Sequence, residues 1–216
     1  MKEAGAIADP RVQRLLAEAT AWRLLGLLLE RPRENWWQEV EMLSRKIPDP
    51  VIKAAGDAAQ EEAKEGLYLA LLGPGGPVSA REVAYRGMDD PGRILADISA
   101  FYDAFAFQPE TEEAPDHLSV EAGFLGYLCL KEAYALARGN DQEAEVAAQA
   151  AHRFRESHLA IFAWPVADRL EEAGVRYLSF AASALAHRSA PRRDTAPTIP
   201  APRATCDECS MECGEG

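Results

Sequence analysis

The sequence has few cysteines and no long apolar run, and each absence excludes a class of protein. Cys129 is the only cysteine before Cys206, so a disulfide-stapled secreted domain is not expected. The longest apolar stretches, near 24–29 and 124–130, fall well short of the ~18 residues that indicate a membrane span. The first ten residues have no apolar signal core. We therefore expect a cytoplasmic protein without stable membrane insertion.

Enzyme motifs and positive charge are also scarce. The sequence has no P-loop, no Gly-x-Ser-x-Gly elbow and no zinc-protease helix, which disfavours a small hydrolase or a nucleotide-binding enzyme. Lysine and arginine total 23 against 35 acidic residues, a net charge of −12. Such a protein repels phosphate backbones, so neither nucleic acid nor an anionic membrane is an expected partner. A basic or apolar peptide would be attracted.

Apolar residues recur at helical spacing through most of the chain. Asp-Pro steps at 9–10, 49–50 and 90–91 predict capped helix starts with proline in the first turn. Further helices are predicted near 91–106, 117–138, 141–156, 158–171 and 174–187. No alternating run is long enough for a sheet, so the sequence predicts one all-α domain over 1–188.

Two segments interrupt this pattern. Gly73–Pro77 is a glycine-proline break that no helix crosses, and Ser79 followed by Glu82 predicts a capping box that opens a short helix. Residues 189–204 are rich in proline and arginine and nearly lack large apolar side chains. They predict a disordered linker that carries a cysteine-rich tail, 205–216.

Asp116 and His117 stand where a loop enters an apolar segment. A carboxylate beside an imidazole can orient the ring or raise its pKa, although sequence neighbours do not face each other on a helix. The simpler interpretation makes Asp116 the N-cap of the next helix and pairs His117 with a nearby carbonyl. No nucleophile pattern accompanies the pair, which disfavours a catalytic dyad.

Three other positions allow a structural or a functional interpretation. Adjacent Trp36 and Trp37 cannot both face one core, so one is predicted at the surface. Paired carboxylates at 89–90 suit a metal or an arginine, but Asp90 is predicted to cap the following helix. Cys129 follows apolar neighbours and is predicted in the core.

The tail carries the most specific chemical spacing. Cys206, Cys209 and Cys213 form a Cys-x2-Cys-x3-Cys pattern, which is typical of thiolates around zinc or an iron–sulfur cluster. The fourth ligand could come from His187, from a second chain or from a client. The alternative is an unstructured tail with three reducible thiols. In the helical domain we expect no tightly bound cofactor.

Four segments, in this order, resemble the TorD/DmsD/NarJ family, the dedicated chaperones of molybdenum oxidoreductases. They are Tyr68-Leu-Ala-Leu-Leu-Gly-Pro74, Ser79–Tyr85, Glu113-Ala-Pro-Asp-His117 and His158-Leu-Ala-Ile-Phe-Ala-Trp-Pro165. The resemblance spans about residues 12 to 187. It departs from the common family pattern at Leu72, where an aromatic residue is frequent.

The resemblance implies an all-helical bundle of the TorD-like type that acts by binding and not by catalysis. In that family the protein binds the N-terminal leader, often twin-arginine, of an apo molybdopterin oxidoreductase catalytic subunit and holds it until the cofactor is inserted. The client-binding residues that it implies are Leu72, Gly73, Tyr85, Pro115, Asp116 and His117. Monomer and dimer both agree with it, and the alternative function is a metal or iron–sulfur carrier that uses the tail.

Overall fold

The computed structural model describes residues 9–192, and this part of the chain is helical without a strand. The helices are α1 (Pro10–Leu28), α2 (Trp36–Ser44), α3 (Pro50–Glu62), α4 (Glu65–Leu72), α5 (Pro91–Ala104), α6 (Leu118–Ala137), α7 (Asp141–Phe154), α8 (Ala160–Glu172) and α9 (Arg176–Ser189). A 3-10 turn, Glu82–Tyr85, follows the glycine-proline break. The prediction of a single all-α domain is confirmed.

The three Asp-Pro steps begin helices as predicted. The Asp9 side chain accepts a hydrogen bond from the second residue after it at 2.7 Å, Asp49 does so at 3.0 Å and Asp90 at 2.9 Å. In each case proline occupies the first helical position, where its missing N–H removes no helical bond. Local sequence alone determines these three boundaries.

The centre of the fold is the close crossing of α1 and α6. A Cβ atom at Gly26 would lie 2.9 Å from the carbonyl oxygen of Ser119, and one at Gly126 would lie 3.2 Å from that of Ala19. Only glycine lets the two backbones approach this closely. Helix α7 packs on the other side of α6, while α9 packs between α3 and α8.

Helices α7 and α8 are joined by a π-helical turn, Arg155–Leu159. The predicted break between 156 and 158 is therefore wrong, because the chain remains helical across it. The other boundaries differ from the predictions by about two residues, the usual uncertainty of helix ends. The π turn brings His158 into the interior, where its side chain is 1% exposed.

The two adjacent tryptophans are divided between core and surface as predicted, and other aromatic residues fill the core. Trp36 is buried and its Nε1 donates to the carbonyl of Leu27 at 2.8 Å, whereas Trp37 is 38% exposed. Tyr102 and Phe124 are buried, and their ring centroids lie 4.8 Å apart. Cys129 packs at the margin of this core. Burial raises the pKa of its thiol to about 12, so it is not poised to react.

The predicted linker and tail fall almost wholly beyond Arg192. Ser189 is the last residue of α9, while the proposed metal ligands Cys206, Cys209 and Cys213 lie outside the described residues. Within residues 9–192, none of the helices combines the length and the hydropathy that a membrane crossing requires.

Candidate functional site

Two loops distant in sequence pair to form the frame of the site. Residues 80–82 run antiparallel to residues 116–118, with a bridge between Arg81 and His117. The amide of Glu82 donates to the carbonyl of Asp116 at 2.9 Å, and the amide of Leu118 donates to that of Ala80 at 2.8 Å. The segment after the glycine-proline break thus fixes Glu113–His117, which we call the signature loop.

Asp116 is not the cap of α6, and that prediction is wrong. Its carboxylate is fully buried and accepts from the guanidinium Nε of Arg81 at 2.5 Å and from the amide of Val83 at 3.3 Å. His117 is the N-cap instead, because its Nδ1 accepts the amide hydrogen of Ser119 at 3.2 Å. The carboxylate of Asp116 therefore joins the two loops and does not cap α6.

The predicted capping box is also wrong. The hydroxyl of Ser79 accepts from the amide of Arg81 at 3.3 Å in a local turn, and Glu82 does not return to Ser79. Glu82 is fully buried and pairs with Arg86 and His158. A buried carboxylate needs such partners, and the pairing with Arg86 and His158 outweighs the local cap.

The ring of His117 links the signature loop to α4. Since Nδ1 accepts from Ser119, the neutral ring carries its proton on Nε2, which lies 3.3 Å from the phenol oxygen of Tyr68. Tyr68 in turn lies 3.3 Å from a carboxylate oxygen of Glu113. Burial, reinforced by the positive charge of Arg81, lowers the pKa of His117 to about 3. His117 is a neutral structural link and not a charged ligand.

Next to the signature loop lies a buried group of carboxyls. Glu82 and Glu121 are both fully buried, and burial followed by the charge of Glu82 raises the pKa of Glu121 well above its usual value. Neither Glu121 oxygen has an amide, hydroxyl or guanidinium donor among the described residues. Burial without such a donor, next to the charge of Glu82, favours the neutral form of Glu121.

An open cleft of about 540 Å³ adjoins this frame. We call it the α4 cleft, and the residues that line it are Glu30, Arg31, Pro32, Arg33, Glu34, Glu65, Tyr68, Leu69, Leu72, Gly73, Pro74, Thr111, Glu112 and Glu113. Arg31 pairs with Glu65, and Arg33 pairs with Glu30 at 2.9 Å. The five glutamates outnumber the two arginines, and the cleft is negative on balance.

The six predicted client-binding residues divide into two groups. Leu72 and Gly73 line the α4 cleft, with Tyr68 and Glu113 beside them. Asp116 and His117 are buried behind it.

Pro115 and Tyr85 lie elsewhere. The carbonyl of Pro115 accepts from Tyr102 at 2.8 Å. Tyr85 donates to the carbonyl of Ser79 at 2.7 Å and stacks on Phe162 with ring centroids 5.8 Å apart. The client-binding role of all six residues stays a prediction.

The sequence interpretation missed Arg81 and Glu82 as site residues. Arg81 lies within the segment that predicts a capping box, and nothing local indicates that it pairs with Asp116, 35 positions away. Across residues 9–192, no group of three or more His, Cys, Asp or Glu side chains is arranged to hold a metal ion.

Comparison with known proteins assigns the chain to a family. The family described as "Nitrate reductase delta subunit" matches residues 30–167, a range that contains α2 to α7, the signature loop and both sides of the α4 cleft. The chain belongs to this family. Its members are the molybdoenzyme-specific chaperones of the TorD/NarJ type, so the family resemblance is confirmed and the protein is not an enzyme.

Two relatives are assembly chaperones by name. The chlorate reductase assembly chaperone protein of Ideonella dechloratans is 31% identical over 170 residues, which are 76% of this chain and 82% of the relative. The selenate reductase assembly chaperone protein of Thauera selenatis is 32% identical over 170 residues, with the same coverage of 76% and 82%. No solved structure matches the chain.

Proposed function

We propose that this member of the family is a cytoplasmic maturation chaperone that binds the N-terminal leader region of an apo molybdopterin oxidoreductase catalytic subunit in the α4 cleft. It would hold the client open for cofactor insertion and release it for assembly or export. The observation that carries the proposal is the α4 cleft itself. It is open, negative on balance, and lined in part by two of the segments that carry the family resemblance.

The apolar part of the cleft suits the hydrophobic stretch of a leader. Leu69 is 40% exposed although it belongs to the apolar helix α4, and Leu72 is half-buried beside it. Gly73 ends the helix, where a Cβ atom would lie 2.4 Å from the carbonyl oxygen of Leu69. An exposed leucine next to a half-buried one offers the apolar contact that an amphipathic peptide requires.

The acidic rim suits the basic part of a leader. Glu34 and Glu112 are exposed on this rim, and Glu113 lies on the signature loop between cleft and core. Exposed charges of one sign accelerate association with an oppositely charged peptide and contribute to its orientation. They lose this effect as salt screens them.

The buried frame gives the cleft a fixed shape. Asp116 joins the two loops through Arg81, and His117 joins the signature loop to Tyr68 of the cleft wall. Preorganised side chains lose less conformational entropy when a peptide binds. In this proposal Asp116 and His117 position the cleft and do not touch the client.

The proposal can be tested by co-expressing the chain with individual molybdopterin oxidoreductase catalytic subunits, each with and without its leader region. We expect one client to co-purify, and its leaderless form to be lost. Leu69→Asp should reduce the recovered client about tenfold or more, because it places a charge in the apolar floor. The matched control is Val146→Asp, which alters an exposed apolar residue on α7 that is 54% exposed against 40% for Leu69.

Three results bear on separate parts of the proposal. Equal recovery of the client by Leu69→Asp and the wild type would exclude the α4 cleft as the binding site. Equal recovery with and without the leader would exclude leader recognition. Normal cofactor content of the client in cells that lack this chain would exclude a maturation role.

A second candidate function is carried by the cysteine spacing of the tail. Cys206, Cys209 and Cys213 suit zinc or an iron–sulfur cluster, and a chain that carries such an ion would deliver it to its partner. Full-length protein purified without oxygen should then contain about one equivalent of zinc or a cluster chromophore. A triple Cys→Ser variant should lose it. Metal-free wild-type protein would exclude this function.

A further inference from the structure

The chain has four histidines, and three of them are already engaged by other side chains. His117 and His158 are buried and hydrogen-bonded within the frame of the site, and His152 lies 3.3 Å from a carboxylate oxygen of Glu156. His187, in the last turn of α9, is exposed. Among residues 9–192, neither of its ring nitrogens has a hydrogen-bond or ion-pair partner. His187 is therefore the histidine that is free to bind a ligand.

Trp164 on α8 connects the ring of His187 to the end of the described chain. The two rings meet edge to face, with their centroids 4.7 Å apart. The indole Nε1 donates to the carbonyl of Ala190 at 3.0 Å, and the guanidinium of Arg192 lies 5.0 Å from the same indole ring. Arg192 also pairs with Asp168 at 2.9 Å. The residues that lead into the rest of the chain are therefore held beside His187.

Only a short length of chain separates this histidine from the three cysteines of the tail. The cysteines lie outside the described residues, and thirteen residues stand between Arg192 and Cys206. Such a stretch spans up to ~45 Å when extended, which is ample for a return to a side chain next to Arg192. A flexible connection of this length gives the thiols an effective concentration of about 1 mM at His187. In more dilute solution, a ligand from the same chain is therefore favoured over one from a second chain.

The chemistry of these side chains fits zinc. Structural zinc sites bind the ion in a tetrahedron of four ligands, three cysteines and a histidine among them, and their paired cysteines are two to four residues apart. The tail has gaps of two and three residues and leaves one position open. Cys129 does not suit this position, because burial raises the pKa of its thiol to about 12. His187 suits it, because its imidazole is accessible and is oriented by Trp164.

We propose that His187 and the three cysteines of the tail, Cys206, Cys209 and Cys213, together bind one zinc ion that fastens the tail to the end of α9. Of the three sources of a fourth ligand that the sequence leaves open, this proposal selects the one within the chain. It rests on metal binding by the tail, which the second candidate function also requires, and not on delivery of the ion. Four protein ligands form a closed site, so the zinc would hold the tail beside Trp164.

The test uses full-length protein that is purified under reducing conditions and stripped of metal, with zinc alone as the probe. We expect the monomer to bind about one equivalent. X-ray absorption of the loaded protein should show three sulfur ligands at about 2.3 Å and one nitrogen ligand at about 2.0 Å. In protein labelled with ¹⁵N in its histidines, zinc should shift the ring resonances of His187 and leave those of His152 in place.

Two matched variants test the role of His187 directly. His187→Asn should weaken zinc binding at least about 100-fold, because even a residue that only supports a metal ligand costs about 10–100-fold when it is removed. His152→Asn, at a histidine whose side chain is 58% exposed, should bind zinc as the wild type does. Both changes are at exposed positions on helices, and circular dichroism should show that both variants are folded.

The results that would overturn the proposal differ in what else they exclude. Wild-type protein that holds neither zinc nor a cluster overturns it together with the second candidate function. An iron–sulfur cluster in place of zinc overturns it and leaves that function standing. The assignment of His187 alone fails if His187→Asn binds zinc as tightly as the wild type, if zinc makes the protein dimerise, or if an oxygen ligand replaces the nitrogen. The tail itself has carboxylates that could supply such an oxygen, at Asp207, Glu208 and Glu212.

Discussion

The phenol oxygen of Tyr68 lies 3.3 Å from Nε2 of His117, and this contact connects the wall of the α4 cleft to the start of α6. Because Nδ1 of His117 accepts the amide of Ser119, Nε2–H donates to Tyr68, and the Tyr68 hydroxyl remains free to donate to Glu113. The signature loop, the start of α6 and the wall of the α4 cleft are thus joined by one series of hydrogen bonds. Changes in the chemistry of His117 are therefore transmitted to the cleft.

Replacement of Tyr68 by phenylalanine removes the hydroxyl at the centre of this series of hydrogen bonds. We expect Tyr68→Phe to lower the free energy of unfolding by about 1–2 kcal/mol, since the buried Nε2–H of His117 loses its acceptor. Urea unfolding followed by circular dichroism measures the change. Tyr134→Phe is the matched control, at a tyrosine that is 62% exposed on α6, and it should have almost no effect. Equal losses in the two variants would contradict the network.

The burial of neutral His117 makes stability depend on pH in a defined window. Its folded pKa, about 3, lies below the unfolded value of about 6.5. Its contribution is therefore present above pH ~6.5 and is lost as the pH falls toward 3. Between neutrality and pH ~5 the wild type should lose about 2 kcal/mol through this residue. Urea midpoints measured across this range would show the loss.

The variant His117→Asn keeps a capping side chain but cannot be protonated. It should lack this acid-dependent loss, so the stability difference from the wild type should shrink by about 2 kcal/mol as the pH falls to ~5. His152→Asn, at a histidine whose side chain is 58% exposed, should follow the wild-type pH dependence. Parallel pH curves for wild type and His117→Asn would show that His117 is not buried neutral.

The parts of the fold that depend on neighbouring residues could be predicted from the sequence. Asp90 and Pro91 stand next to each other, and together they specify a helix start without reference to the rest of the chain. Trp36 and Trp37 could be divided between core and surface because adjacent residues on a helix point in different directions. The family resemblance, confirmed by comparison, located the signature loop.

The parts that depend on distant partners could not be predicted. Asp116 occupies a sequence position suited to a cap, yet its partner is Arg81, and only the folded chain brings the two together. Glu82 likewise does not form the predicted capping box, because its buried carboxylate pairs with the distant His158 as well as with the nearby Arg86. Sequence reasoning of this kind recovers the elements, while the charge network between them needs the tertiary structure.

Glu121 should destabilise the protein as the pH rises. Its folded pKa is raised well above the usual value, first by burial and then by Glu82, so its contribution is present below the unfolded pKa of about 4.5 and is lost at higher pH. Glu121→Gln should therefore be more stable than the wild type at pH ~8, by up to about 1.4 kcal/mol per pH unit of the shift.

Thermal unfolding of Glu121→Gln at several pH values measures this gain, which should vanish in acid. Glu145→Gln, at an exposed position on α7, should behave as the wild type throughout. A variant that is less stable than the wild type at pH ~8 would mean that Glu121 is ionised and held by an attractive partner.

The crossing of α1 and α6 predicts opposite effects for two identical substitutions. In Gly26→Ala the new Cβ would lie 2.9 Å from the backbone carbonyl oxygen of Ser119, whereas nothing lies within 4 Å of a Cβ at Gly66 on α4. Alanine favours a helix over glycine by about 1 kcal/mol at either position. At Gly26 the helices must separate, and overpacking of this kind costs about 1–3 kcal/mol. Because the amide of Ser119 also donates to His117, a separation of the helices there disturbs the start of α6 as well.

We therefore expect Gly26→Ala to lower the unfolding temperature and Gly66→Ala to raise it slightly. Stabilisation by both substitutions would show that α1 and α6 are not in close contact.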